Sequence, residues 1–172
     1  MAFSKIEEHC CLAIGEEESF VEMGRRLELS YDAFAELQAY CASKDVLFLS
    51  TPFDFDSATF LNDELDLPVF KISSGDVTTL PFLEHIARFG KPIILSTGMA
   101  TLGEVETAVG TLRDAGADEL ILLQCVSNYP AAPEDVNLRA MHTMARAFNV
   151  PVGYSDHVSS NEVAFAAAAL GA

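Results

Sequence analysis

Basic residues are scarce in this 172-residue chain: 10 Lys and Arg stand against 26 Asp and Glu, a formal net charge of -16. That field repels nucleic-acid phosphates and anionic membrane surfaces, so neither is expected as a partner. The same acidic excess also fits a high-salt cytoplasm. Long apolar runs are missing too. None approaches the ~20 residues that span a bilayer, so no transmembrane helix is expected. The first thirty residues have no basic start, sustained apolar stretch or small-residue cleavage site, and do not read as a signal peptide. Cysteine is limited to Cys10, Cys11, Cys41 and Cys125, with no C-x-x-C spacing. Adjacent Cys10 and Cys11 make a poor disulfide framework, and the four read as buried or incidental thiols of a reducing, cytoplasmic protein. No G-x-G-x-x-G or G-x-x-x-x-G-K-[ST] motif opens a helix, which sharply lowers the dinucleotide and P-loop readings. No H-x-H or H-E-x-x-H spacing supplies paired metal ligands.

Half of the chain is hydrophobic, so it can bury a core and is not disordered. Its length suits one domain. Short apolar runs at residues 46–49, 69–72, 93–95, 120–123 and 151–154, bounded by Gly or Pro, predict strands buried on both faces. Helical patterns separate them. Ser30 caps a segment carrying Ala33, Leu37 and Cys41, while Leu83, Ile86 and Ala87 mark a helix stopped by Gly90-Lys-Pro92. Thr101-Leu-Gly-Glu104 is a capping box ahead of Val105, Ala108, Val109 and Leu112, with Gly116 placed as the C-terminal cap. Ser159-Ser-Asn-Glu162 repeats that pattern before an Ala-rich segment. Residues 1–29 are acidic and aperiodic and read as a loop or partial helix, leaving 30–172 as the folded domain.

Polar residues end the predicted strands. Thr51, Ser74, Ser96, Ser127 and Ser155 lie 23, 22, 31 and 28 residues apart. One strand, one helix and two loops fill such a period, as in a (β/α) barrel or a doubly wound sheet. Five strands fall short of a barrel of eight, which takes about 250 residues. The chain therefore reads as an open five-stranded sheet or as part of a barrel. Gly171-Ala172 falls where a further strand would begin, so the sequence is expected to be a fragment, prone to associate through open strand edges.

In parallel α/β folds the ligand sits beyond the carboxyl ends of the strands. Those ends read Ser50-Thr51-Pro52-Phe53-Asp54, Lys71-Ile72-Ser73-Ser74-Gly75-Asp76, Ser96-Thr97-Gly98-Met99, Gln124-Cys125-Val126-Ser127-Asn128-Tyr129-Pro130 and Gly153-Tyr154-Ser155-Asp156-His157. A ring of hydroxyl donors with one Lys suits a phosphate or carboxylate. Lys71 interrupts an apolar strand, where it can bind an anion, form a Schiff base or snorkel from an edge. His157 alone is a weak metal candidate.

Together these motifs resemble the sialic acid synthase family, the N-acetylneuraminate synthases and their bacterial relatives. Gly15-Glu-Glu-Glu-Ser19, Leu27-Glu-Leu-Ser30, Ser50-Thr-Pro-Phe-Asp54, Lys71-Ile-Ser-Ser-Gly75, Leu95-Ser-Thr-Gly-Met99, Ser127-Asn-Tyr-Pro130, Glu134-Asp-Val-Asn-Leu138 and Gly153-Tyr-Ser-Asp-His157 carry the resemblance. It implies an α/β fold of the (β/α)8 TIM-barrel type, truncated here to about strands three to seven. It further implies condensation of phosphoenolpyruvate with an N-acetylated hexosamine, assisted by a divalent metal, manganese or magnesium, and homodimeric full-length relatives. Carried over residue by residue, Thr51, Lys71, Ser74, Ser96, Ser155 and Ser127 hold phosphoenolpyruvate. Asp76 and Tyr129 contact the sugar, and His157 is one of two metal-binding histidines. The first two strands, the eighth strand with the second histidine and the small C-terminal domain have no counterpart. The fragment is therefore expected to be inactive alone and to hold metal weakly. A Schiff-base aldolase using Lys71, or a non-catalytic pyruvate- or sugar-binding fragment, is the alternative.

Overall fold

The computed structural model describes residues 19–172, and the chain divides into two units, Met1–Val46 and Leu47–Ala172. The first unit carries α1 (Phe20–Leu27) and α2 (Tyr31–Ser43). Where a loop or partial helix was expected, α1 forms on a capping box. The Ser19 hydroxyl accepts the Glu22 amide at 3.2 Å, and the Glu22 carboxylate accepts the Ser19 amide at 3.1 Å. Ser-x-x-Glu was legible there but is preceded by no apolar period. Ser30 caps α2 as expected, accepting the Ala33 amide at 3.2 Å. Cys10, Cys11 and most of Gly15–Ser19 lie outside the described residues.

In the second unit, α3 (Phe55–Asp63) precedes a regular alternation of β1 (Phe70–Ile72), α4 (Leu80–Ala87), β2 (Ile93–Ser96), α5 (Leu102–Asp114), β3 (Leu120–Cys125), α6 (Arg139–Phe148), β4 (Val152–Ser155) and α7 (Glu162–Ala169). Asp54 starts α3 by accepting the Ser57 amide at 2.7 Å, a bond that holds its carboxyl below the usual range. The four strands pair in parallel in the order β1-β2-β3-β4. Residues 46–49, expected as a fifth strand, take no place in this ladder. The Val46 amide is spent instead on the Cys41 carbonyl at the end of α2, at 3.0 Å. An apolar run marks a segment for burial, but a strand also needs free backbone groups beside a partner edge.

The register sorts the sheet into two faces. Phe70 pairs with Ile93 and Ile93 with Leu120; Ile72, Leu95, Leu122 and Val152 form the next row on the same side. The first six of these are at most 5% exposed. Phe89 follows α4 and meets Phe70 ring to ring at 5.2 Å; Met144 of α6 receives the Thr97 hydroxyl at 3.5 Å. Buried Phe82, Leu83 and Ile86 of α4, Val105, Ala108, Val109 and Leu112 of α5, and Met141 of α6 complete this core. Burying a side chain of this size stabilises the fold by about 1.5–3 kcal/mol. The other face carries Lys71, Ile94, Ser96, Ile121, Leu123, Cys125, Gly153 and Ser155, and its apolar members Ile94, Ile121 and Leu123 retain exposure.

The two expected capping boxes part company. Thr101 accepts the Glu104 amide at 3.3 Å and Glu104 accepts the Thr101 amide at 2.7 Å, and Gly116, at φ +102, follows α5 as its left-handed cap. Ser159-Ser-Asn-Glu162 forms no box: α7 starts at Glu162 with Asn161 as its cap, so Glu162 sits in the first helical position instead of the third. Thr101→Ala is expected to lower stability by about 1 kcal/mol, whereas Ser159→Ala should leave it unchanged within measurement. Urea unfolding of the two variants checks both statements.

Candidate functional site

Each strand delivers its last outward residue to the same face, because side chains alternate and the register is continuous. Lys71 lies mid-strand in β1, half-buried, with Nζ donating to the Ile72 carbonyl at 3.0 Å. Burial pushes its ammonium pKa down, and the nearby Cys125 thiol partly offsets this. Ser96 ends β2 on that face. It is 3% exposed, and its hydroxyl has no hydrogen-bond partner. An unpaired buried hydroxyl costs about 1–3 kcal/mol unless something polar meets it. Cys125 and Ser155, paired across β3 and β4, end the next two strands.

The loops bring further groups to this rim. A 3-10 turn, Ser74–Asp76, follows β1 and is closed by the Ser73 hydroxyl, which donates to the Asp76 carboxylate at 2.8 Å. Ser74 reaches across the sheet: its Oγ accepts the Gly98 amide at 2.9 Å and lies 3.0 Å from Cys125 Sγ. Gly98 belongs to a sharp turn anchored by Thr97, whose amide and hydroxyl both donate to the Leu123 carbonyl at 3.0 Å. Met99 adopts the left-handed φ of +65 there. A Cβ on Gly98 would stand 2.5 Å from Ser127 Oγ, 2.8 Å from Cys125 Sγ and 3.0 Å from Ser74 Oγ. Glycine is what lets the three side chains close around the backbone.

The β4 end builds a second cluster. His157 Nδ1 bonds to the Val126 carbonyl, and Nε2 lies 3.4 Å from the Ser155 hydroxyl. A carbonyl can only accept, so Nδ1 carries a proton and donates it, and Nε2 faces the Ser155 hydroxyl. The Ala131 amide donates to the His157 carbonyl at 2.8 Å, and the Tyr129 ring packs over the imidazole at 4.3 Å. Burial raises the Tyr129 pKa, with Cys125 adding to it. The Tyr154 side chain lies on the helix side; burial first, then the Asp156 carboxylate, push its pKa up to about 12.

Lys71, Ser74, Ser96, Ser127 and Ser155 thus lie on one face or its rim, with His157 and Tyr129 stacked at its end. Thr51 is half-buried in the irregular stretch before α3, and no hydrogen bond ties it to the cluster. Asp76 is joined to Ser73 rather than to Tyr129. Cys125, which reads from sequence as a buried or incidental thiol, is buried and stands at the centre, and the Gly98 amide and Val126 carbonyl are backbone contributions. Cys125 shares the sheet face of Lys71 and Ser96 and lies close enough to Lys71 to act on its charge. A metal requires several ligands, and no group of three His, Cys, Asp or Glu side chains is assembled among the described residues. The donor present suits one nonetheless: an imidazole oriented through Nδ1 by a carbonyl, with Nε2 meeting only the Ser155 hydroxyl at 3.4 Å, is the usual arrangement of a ligating histidine. No helix among the described residues is long and apolar enough to cross a membrane.

Comparison with known proteins extends this geometry. Residues 4–172 match the NeuB family. Among curated relatives, the N,N'-diacetyllegionaminic acid synthase of Campylobacter jejuni is 48% identical over 158 residues, covering 91% of this chain and 47% of that protein. The human N-acetylneuraminate-9-phosphate synthase is 36% identical over 155 residues, covering 90% of this chain and 43% of the relative. The chain thus spans about half the length of the curated relatives it matches. A crystal structure of the N-acetylneuraminic acid synthetase from Leptospira borgpetersenii in complex with citrate superposes with a TM-score of 0.81 at 37% identity, over 84% of this chain and 50% of that one. The alternating unit is therefore part of a TIM-type barrel, as expected, and the face bearing Lys71 and Ser96 is the barrel's inner one.

Gly98→Ala tests the cluster. The atoms its methyl would strike are all ends of small side chains, which can rotate away, so the fold should survive. Amide exchange at residue 98 should quicken as its hydrogen bond to Ser74 Oγ is lost, while the melting temperature stays within a few degrees of the parent protein.

Proposed function

The chain belongs to the NeuB family, and from that premise we propose that the complete protein condenses phosphoenolpyruvate with an N-acetylated hexosamine to give a nine-carbon 2-keto acid sugar. The observation that carries this reading is the buried, unpartnered Ser96 hydroxyl on the face that also bears Lys71, in a chain of net charge -16. Such a pair is costly in a free protein and is compensated by an anion that accepts from both. Both curated relatives are named as synthases of acetylated sugar acids, which supports the same class of product.

In this reading Lys71, Ser74, Ser96, Ser127, Ser155 and Thr51 hold the phosphate and carboxylate of phosphoenolpyruvate. Asp76 and Tyr129 address the sugar. His157 offers Nε2 to a divalent cation, manganese or magnesium, which when bound supplies Lewis-acid polarisation of an aldehyde oxygen. The enol carbon forms the new bond to the aldehyde carbon. Water adds at the carbon bearing the phosphate, and phosphate leaves as the ketone forms. The protein's contribution is positioning and charge stabilisation, with no covalent enzyme intermediate.

One observation favours a second reading. Burial lowers the Lys71 pKa, which also suits a Schiff-base nucleophile. Borohydride trapping of pyruvate on Lys71 would establish the aldolase and exclude the condensation mechanism.

Two variants test the proposal. Lys71→Met should weaken phosphoenolpyruvate binding by about 1.5–3 kcal/mol, the range for hydrogen bonds to charged groups. It should also raise stability at neutral pH. The folded state holds the Lys71 proton less tightly than the unfolded chain, whose pKa is near the ordinary 10.5. The charged side chain therefore opposes folding until the pH passes its lowered folded-state pKa. In the parent protein that opposition fades as pH rises toward the ordinary value; in the variant this alkaline gain should be missing from pH-dependent melting curves. His157→Ala should reduce manganese affinity at least tenfold in the complete protein, read by the electron paramagnetic resonance signal of the free ion.

A further inference from the structure

We infer that Cys125 is a positioning residue that aims the Ser74 hydroxyl proton at the bound anion, an inference that rests on the phosphoenolpyruvate reading. Ser74 Oγ has two lone pairs and one proton. The Gly98 amide occupies one lone pair at 2.9 Å, and Cys125 Sγ sits at 3.0 Å on the same oxygen. Two arrangements satisfy this contact. Either Ser74 donates to sulfur, and its proton is lost to the ligand, or the thiol donates to the second lone pair, and the hydroxyl proton is directed out of the cluster.

An anion selects the second. A hydrogen bond to a charged oxygen is roughly twice as strong as a neutral one, and sulfur is a weak acceptor. Cys125 is 5% exposed and lies on the sheet face of Lys71, Ser96 and Ser155. Ser74 Oγ, Cys125 Sγ and Ser127 Oγ all surround the place a Cβ would take on Gly98, so the contact sits inside a cluster and not at its edge. The thiol thus works as a neutral donor behind the hydroxyl, fixing a rotor that would otherwise be divided between orientations. Lys71 supplies the charge; Cys125 supplies the direction of one of its helpers.

Serine and alanine both remove the bulk of sulfur, but only serine keeps a donor. A packing role would therefore treat the two substitutions alike, and a positioning role would not. The test is phosphoenolpyruvate binding by the complete protein, measured by calorimetry for the parent, Cys125→Ala, Cys125→Ser, Ser74→Ala and the Ser74→Ala/Cys125→Ala double variant. Cys125→Ala should bind about fivefold to tenfold more weakly, the loss of one neutral hydrogen bond. Cys125→Ser should stay within about twofold of the parent, and the double variant should bind no worse than Ser74→Ala alone. Equal losses in the serine and alanine variants, or losses that simply multiply in the double variant, would overturn the inference while leaving the condensation reading intact. Failure of the parent to bind phosphoenolpyruvate would remove that reading and the inference with it.

Discussion

Parallel pairing from β1 to β4 places Phe70, Ile93 and Leu120 in one row and Lys71, Ile94 and Ile121 in the next, so neighbouring residues along each strand serve opposite faces. A slip of one residue in any pair would send a buried Leu or Ile to the inner face and bring Lys71 or Ser96 under the helices. The core and the polar groups of the inner face are thus held by the same ladder. The helices enforce the register from one side, because α4, α5 and α6 have apolar stripes that only the Phe70, Ile72, Leu95 and Leu122 side can meet.

That arrangement sets stability against function at particular atoms. The Ser96 hydroxyl and the Lys71 ammonium would each be better solvated in water than on the inner face of a sheet. They persist because the opposite face buries enough hydrocarbon to hold the strands where those groups converge. An acidic chain needs such a device. With the overall field repelling anions, any anionic ligand would have to be met by close, desolvated donors rather than by long-range attraction, which salt screens within about 8 Å at physiological ionic strength.

Loops refine what strands place. The turn after β2 aims a backbone amide at Ser74 only because residue 98 has no side chain, and the loop after β3 lends the Val126 carbonyl to set the tautomer of His157. The Gln124 side chain steadies that loop by donating to the Val136 carbonyl at 3.0 Å. The chemistry of the rim is therefore shared between side chains and main chain, with the latter the less replaceable part.

Local signals were sufficient for the alternation of strands and helices, for the Ser30 and Thr101 caps, and for the collection of Lys71 and the hydroxyls at strand ends. Each depends on interactions within about four residues or on a period that the apolar residues display. The strand expected at 46–49 and the box expected at Ser159 do not form: the Val46 amide goes to the Cys41 carbonyl at the end of α2, and α7 starts only at Glu162. Cys125 shows the same limit at the site. Nothing local distinguishes it from a buried thiol. Its contact with Ser74, 51 residues away, exists only once β1 and β3 are set on either side of β2. Sequence alone determined which chemical groups were available and at which strand ends. Tertiary structure decided which of them touch, because distances across a sheet follow from register and not from spacing along the chain.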